Sequence, residues 1–115
     1  MFYICYIDLF VKTGVVFIQF IIQTLEDCGW TVKKDEFEDK TPLGPKKFTN
    51  IIATLDPKAD RQLALAAHYD SKLITPENGK YFIGATDSAV PVAMLLDLAK
   101  VLGDKFQKRK SSNVS

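Results

Sequence analysis

Leu63-Ala-Leu-Ala-Ala67 runs directly into His68-Tyr69-Asp70, and fourteen residues after Asp70 stands Gly84-Ala85-Thr86-Asp87-Ser88-Ala89, followed by an apolar run to Leu102. The first run has no polar interruption, the pattern of a strand covered on both faces. A short apolar strand that ends in histidine and a carboxylate puts metal-binding chemistry at the strand end. A second carboxylate, in a Gly/Ser turn just before a helix, can face the same point. In open α/β sheets the strand ends are where ligands bind. The order strand, turn, helix therefore predicts an α/β fold with its site at that junction.

The run after Asp87 is broken only by Asp97, Lys100 and Asp104, whose spacing puts them on one narrow stripe. Such a pattern predicts a mostly buried helix. Ser88 is its expected N-cap, with Pro91 in the first turn where a missing N–H costs nothing. Gly103 reads as the residue just past the helix end, with Lys100 and Lys105 suiting the negative end of the dipole. Asp87 would then sit at a helix N-terminus, which keeps a carboxylate ionised, as a metal ligand must be.

Upstream, the sequence reads as a β-meander. Trp30 to Phe37 is expected as one strand, Lys47 to Leu55 as a second, and Gln62 to Ala67 as the third and central one. Thr41-Pro-Leu-Gly44-Pro45 is a turn by its two prolines around a glycine, and Asp56-Pro57-Lys-Ala-Asp60 has the Asp and Pro of a type I turn. Short turns favour antiparallel pairing. Residues 71 to 83, with Asn78-Gly79, read as a loop at the mouth of the site. Val15 to Asp27 is expected as a buried helix ended by Gly29.

The ends of the chain differ in character. Met1-Phe-Tyr-Ile-Cys-Tyr-Ile7 is apolar and aromatic, and residues 1–20 stand apart as a divergent apolar segment. Its charge-free stretch, Thr13 to Leu25, is shorter than the ~20 residues of a membrane span. No basic leader region precedes that stretch and no small-residue cleavage site follows it, so membrane insertion is not expected. Residues 107–115 form a polar tail, and Lys105 to Lys110 read as a solvated helix end. A net charge of +1, with no basic stripe carrying interleaved aromatics, gives no case for nucleic acid. Cys5 and Cys28 read as two reduced thiols, and the glycosylation triplet Asn113-Val114-Ser115 as a chance match.

His68-Tyr-Asp-Ser-Lys72 followed by Gly84-Ala-Thr-Asp-Ser-Ala-Val-Pro91 resembles the glutaminyl-peptide cyclotransferases (glutaminyl cyclases), within the wider family of zinc aminopeptidase-like α/β proteins. The resemblance takes in Thr41-Pro-Leu-Gly44 and Phe48-Thr-Asn-Ile-Ile-Ala-Thr-Leu55, and extends from about Ile21 to about Phe106. It implies part of a three-layer α/β/α fold: an N-terminal helix, antiparallel strands, a central strand and a buried helix. It also implies an acyltransferase that converts the N-terminal glutamine of a peptide or protein, and more slowly glutamate, into pyroglutamate. One zinc, held by Asp, Glu and His, would serve that reaction.

Carried over position by position, the resemblance places a zinc ligand at Asp87. His68 and Asp70 match a pair that supplies a ligand and its supporting carboxylate in the two-zinc aminopeptidases. The equivalent histidine of the cyclases is not normally a ligand, so His68, Asp70 and Ser88 are expected as the wall around the metal. No catalytic residue falls within these residues: the glutamate pair, a later Asp and the last ligand His have no match, and the sequence holds a single histidine. The isolated chain is therefore expected to be inactive and prone to associate. Many secreted cyclases carry a disulfide whose positions here are Ala67 and Val92, which removes one argument for an oxidising compartment. An inactive binding or regulatory module and an aminopeptidase-like hydrolase stay open beside the cyclase reading. The Ala-Thr-Asp-Ser-Ala-Val-Pro wording argues against the hydrolase.

Overall fold

The computed structural model describes residues 2–7, 13–71, 74, 77–80 and 82–112. In chain order they form β1 (Phe2–Ile7), α1 (Thr13–Asp27), β2 (Thr31–Thr41), β3 (Gly44–Thr54), β4 (Leu65–His68), a wide helical turn at Ala85–Ala89, and α2 (Val90–Ser112).

The helix-ending role of Gly29 is met in full. Gly29 takes φ +81°, its N–H donates to the Glu26 carbonyl at 2.9 Å, and the Trp30 N–H donates to Leu25 at 3.1 Å. This is the paired closure that a left-handed glycine permits. It aims Trp30 inward, where the indole Nε1–H donates to the Ala99 carbonyl of α2 at 2.9 Å.

β2 and β3 form a hairpin in unbroken register from Thr31↔Thr54 to Thr41↔Gly44. Gly44 supplies φ +90° at the turn, and the Thr41 hydroxyl braces it by donating to the Gly44 carbonyl and accepting from the Leu43 N–H. Both strands run further toward the turn than the expected ends at Phe37 and Lys47. Glu38, Asp39, Lys40 and Lys46 among the added residues are charged, yet the register sets Glu38 against Lys47 and Asp39 against Lys46. Opposite charges directly across a ladder favour pairing, so a solvated ribbon replaces the expected loop.

The third strand is both shorter and differently placed than expected. β4 holds only Leu65–His68, and the sheet order is β2-β3-β1-β4. β4 is thus at an edge among the described residues, not at the centre. Its neighbour is β1, which lies antiparallel to β3 (Phe2↔Ala53 to Ile7↔Phe48) and parallel to β4 (Phe2↔Leu65 to Cys5↔His68). Alternation within a strand reports which faces are covered. It does not report which strand lies alongside.

Ile21 and Leu25 of α1, Trp30, Ile51 and Ala53 of β3, and Val92, Leu96 and Ala99 of α2 form one buried cluster. Both helices therefore share one core with the sheet, and the described residues make two of the layers of an α/β/α architecture. α2 is buried along Val92, Leu96, Ala99 and Gly103, while Val90, Met94 and Val101 are exposed. The helix was expected to be mostly buried, and among the described residues it is buried along one stripe only.

Gly103 does not end α2. The helix continues to Ser112, and Gly103 is buried in its middle. A Cβ there would overlap the Cys28 carbonyl oxygen at the end of α1. Glycine serves close approach of two helices here, so the capping rule gives way to a tertiary demand. The same contact region covers Cys28, whose thiol is pushed up chiefly by burial.

Candidate functional site

The site is built where β4 stops and α2 begins. His68 is the last residue of β4, and Asp70 lies two residues on. The imidazole Nδ1 is 3.0 Å from Asp70 Oδ1 and 3.1 Å from the Asp70 carbonyl oxygen. On the other side, Nε2 is 2.7 Å from Asp87 Oδ1. One ring thus joins two carboxylates brought from different elements.

The approach to α2 delivers Asp87. Gly84 takes φ +63°, and the Ala89 N–H closes a wide turn on the Gly84 carbonyl at 3.2 Å. Inside that turn Asp87 (φ −126°, ψ 82°) and Ser88 (φ −143°, ψ 35°) leave helical geometry, with a cis peptide between them. Gly84 is fixed by crowding as well as by its dihedral. A Cβ there would stand 2.7 Å from Ser71 Cβ and 3.0 Å from the Asp87 carbonyl oxygen. The segment after Asp70 and the turn before α2 are therefore pressed together.

Ser88 does not cap α2, as the sequence suggested. The helix opens two residues later, at Val90, with Pro91 in its first turn. Ser88 is buried at 4 % exposure and takes no part in the hydrogen bonds around His68. Tyr69, between the two motif residues, was not singled out by sequence reasoning. Its ring lies 6.2 Å from that of Phe17, and its hydroxyl points at the Thr49 carbonyl at 3.5 Å. An aromatic residue between two polar site residues was the available signal.

The side chains differ in exposure: Asp87 is 82 % exposed, His68 44 % and Asp70 23 %. The hydrogen bond to Asp87 is the main cause that raises the His68 pKa. Partial burial works against it, and Asp70 adds to it through its side chain, backbone and charge. In the protonated ring both nitrogens donate, one to each carboxylate.

The donor types suit zinc, but their number does not. No group of three or more His, Cys, Asp or Glu side chains that could hold a metal occurs among the described residues. A catalytic zinc takes three protein ligands. Here Nε2 of the only histidine is bonded to the carboxylate it would have to accompany. The described residues of this chain do not form a zinc site by themselves. A groove of about 520 Å³ between α1 and the hairpin, lined by Ile18, Ile22, Phe37 and Phe48, includes none of these residues.

The model of peptidase family M28 matches residues 50–114, more than half of the chain and all of this site. The chain belongs to peptidase family M28. Its relatives carry the expected name. The glutaminyl-peptide cyclotransferase-like protein of Bos taurus is 49% identical over 94 residues, covering 82% of this chain and 24% of that protein. The glutaminyl-peptide cyclotransferase of Drosophila melanogaster is 49% identical over 98 residues, covering 84% and 27%. Among solved structures, the glutaminyl cyclase of Macrostomum lignano matches with a TM-score of 0.73 at 43% identity, over 81% of this chain and 27% of that one. The chain is thus a glutaminyl-cyclase-like member of M28 with the corresponding partial α/β fold. It spans about a quarter of the length of these relatives.

Proposed function

We propose that this chain forms the N-terminal part of a zinc-dependent glutaminyl-peptide cyclotransferase acting on peptides or proteins that begin with Gln or Glu. The observation that carries the reading is the exposed Asp87 carboxylate, held at a strand end by His68 in a chain about half identical to cyclotransferases. In the reaction, the substrate's α-amine forms a bond to its own side-chain carbonyl carbon. The carbon–nitrogen bond of the amide breaks and ammonia leaves. A zinc bound in the whole protein would supply Lewis acidity to that carbonyl.

This chain's residues contribute positioning. Asp87 would be one metal ligand, His68 fixes its Oδ1, and Asp70 fixes the imidazole from behind. The remaining ligands and the proton carrier would come from residues beyond these.

Asp87→Ala, made in a protein of the relatives' length that contains these residues, is expected to lose bound zinc and ammonia release from a Gln-initiated peptide. Retention of both zinc and full activity overturns the assignment. The 115-residue chain alone, given zinc and the same peptide, is expected to release no ammonia above background. Turnover at an ordinary enzymatic rate, about 1–10³ per second, would show that it holds a complete site. A second reading is an inactive binding or regulatory module. It would be supported if the longer protein neither binds zinc nor cyclises.

A further inference from the structure

The strand that ends in His68 is not paired with the hairpin. In the order β2-β3-β1-β4, every ladder between β4 and the rest of the described sheet passes through β1. β4 is only four residues long, and residues 62–64 before it have no regular structure. A strand so short depends on its neighbours for stability. The register is specific: Cys5 stands opposite both Asn50 and His68, and Ile4 opposite both Ile51 and Ala67. A segment from the start of the chain thus links the buried middle of β3 to the residue that holds Asp87.

We propose that Phe2–Ile7 is a positioning strand for the site: it fills a slot between antiparallel β3 and parallel β4 and thereby sets the position of His68 against Asp87. Parallel strands are ordinarily joined by a crossover, and a strand followed by a helix, like β4 and α2, directs the next strand to lie parallel in the same sheet. Here the parallel neighbour of β4 comes from the opposite end of the chain. The slot accepts an extended segment whose backbone pairs on both sides, a more demanding fit than addition to a free edge.

The test is Ile4→Pro in the full 115-residue chain. Proline removes the Ile4 N–H and crowds the ladder at the position flanked by Ile51 and Ala67. Hydrogen-exchange protection of the Leu65–His68 amides is expected to fall about tenfold or more, while the β2 amides and the buried Trp30 fluorescence keep their wild-type behaviour. Ile4→Val is expected to restore protection, and so is a Phe2–Ile7 peptide added to the proline variant. Wild-type protection of β4 in a folded Ile4→Pro chain overturns the proposal. Should that variant not fold, native-state exchange of the unaltered chain decides. Amides of β1 and β4 opening together support the bridge, and unprotected β1 amides beside a protected β4 overturn it.

Discussion

The β2–β3 hairpin pairs along its whole length around a turn made from neighbouring residues, whereas β4 pairs for four residues with a strand from the far end of the chain. Each region uses a glycine with positive φ, Gly44 at the hairpin turn and Gly84 in the turn that delivers Asp87. Gly44 has open space around it, while Gly84 is pressed between Ser71 and the Asp87 carbonyl. The hairpin is thus a local structure that extends into solvent. The site corner is assembled from β1, β4 and α2, and exists only as firmly as those distant contacts hold. Contacts of high sequence separation must recover the entropy of closing long loops, so the corner should respond to remote changes that leave the hairpin intact.

The largest expected effect is that of Gly103→Val. The new side chain would overlap the Cys28 carbonyl oxygen and force α2 away from α1. Backbone overlap leaves little room to relax, so the cost should exceed the ~3 kcal/mol upper range of ordinary overpacking. Thermal unfolding followed by Trp30 fluorescence measures it. Exchange protection at the tip of the hairpin should outlast that of α2, and equal losses in both would break the contrast drawn above. Ile51→Ala removes a fully buried side chain from the middle of β3, which borders both regions. A loss of about 2–5 kcal/mol is expected in denaturant unfolding.

Gly44→Ala is expected to act on the hairpin alone. Nothing lies within 4 Å of its would-be Cβ, so the cost is that of φ +90° for an alanine, ~1 kcal/mol or somewhat more. Local exchange near Thr41 should report it without change at His68. The smallest effect concerns pH. Hydrogen bonding to Asp87 raises the folded His68 pKa above the ordinary 6.5. The resulting stabilisation is fully present below the unfolded value and fades as pH rises through the folded one. NMR of the single histidine should show a midpoint above 6.5 that drops in Asp87→Ala. An unchanged midpoint would show that the corner does not hold its 2.7 Å contact in solution.

The same contrast explains what could be read in advance. The hairpin was legible because Thr41-Pro-Leu-Gly44 and the β-branched run of β3 carry their meaning locally. Its charged extension was not, because Glu38 and Asp39 resemble loop residues until Lys47 and Lys46 are known to lie opposite. The helix end at Gly29 follows from a local rule. Gly103 obeys that rule in sequence and breaks it in space. The meeting of His68 with Asp87 was foreshadowed by the order strand, turn, helix. The edge position of β4 was not, since no pattern within residues 65–68 names β1 as its neighbour. Ser88 was misplaced as a cap because the backbone departure at Asp87 and Ser88 shifts the helix start to Val90.

The contact between Gly103 and the Cys28 carbonyl also has a genetic side. Every missense change that one nucleotide can make in a glycine codon, alanine included, introduces a residue with a Cβ. At this codon there is no conservative replacement, because the first carbon of any side chain already meets the helix next door. Its neighbours Asp104 and Lys105 face solvent and are free of that constraint. Natural variation along α2 should therefore show an abrupt gap one codon wide.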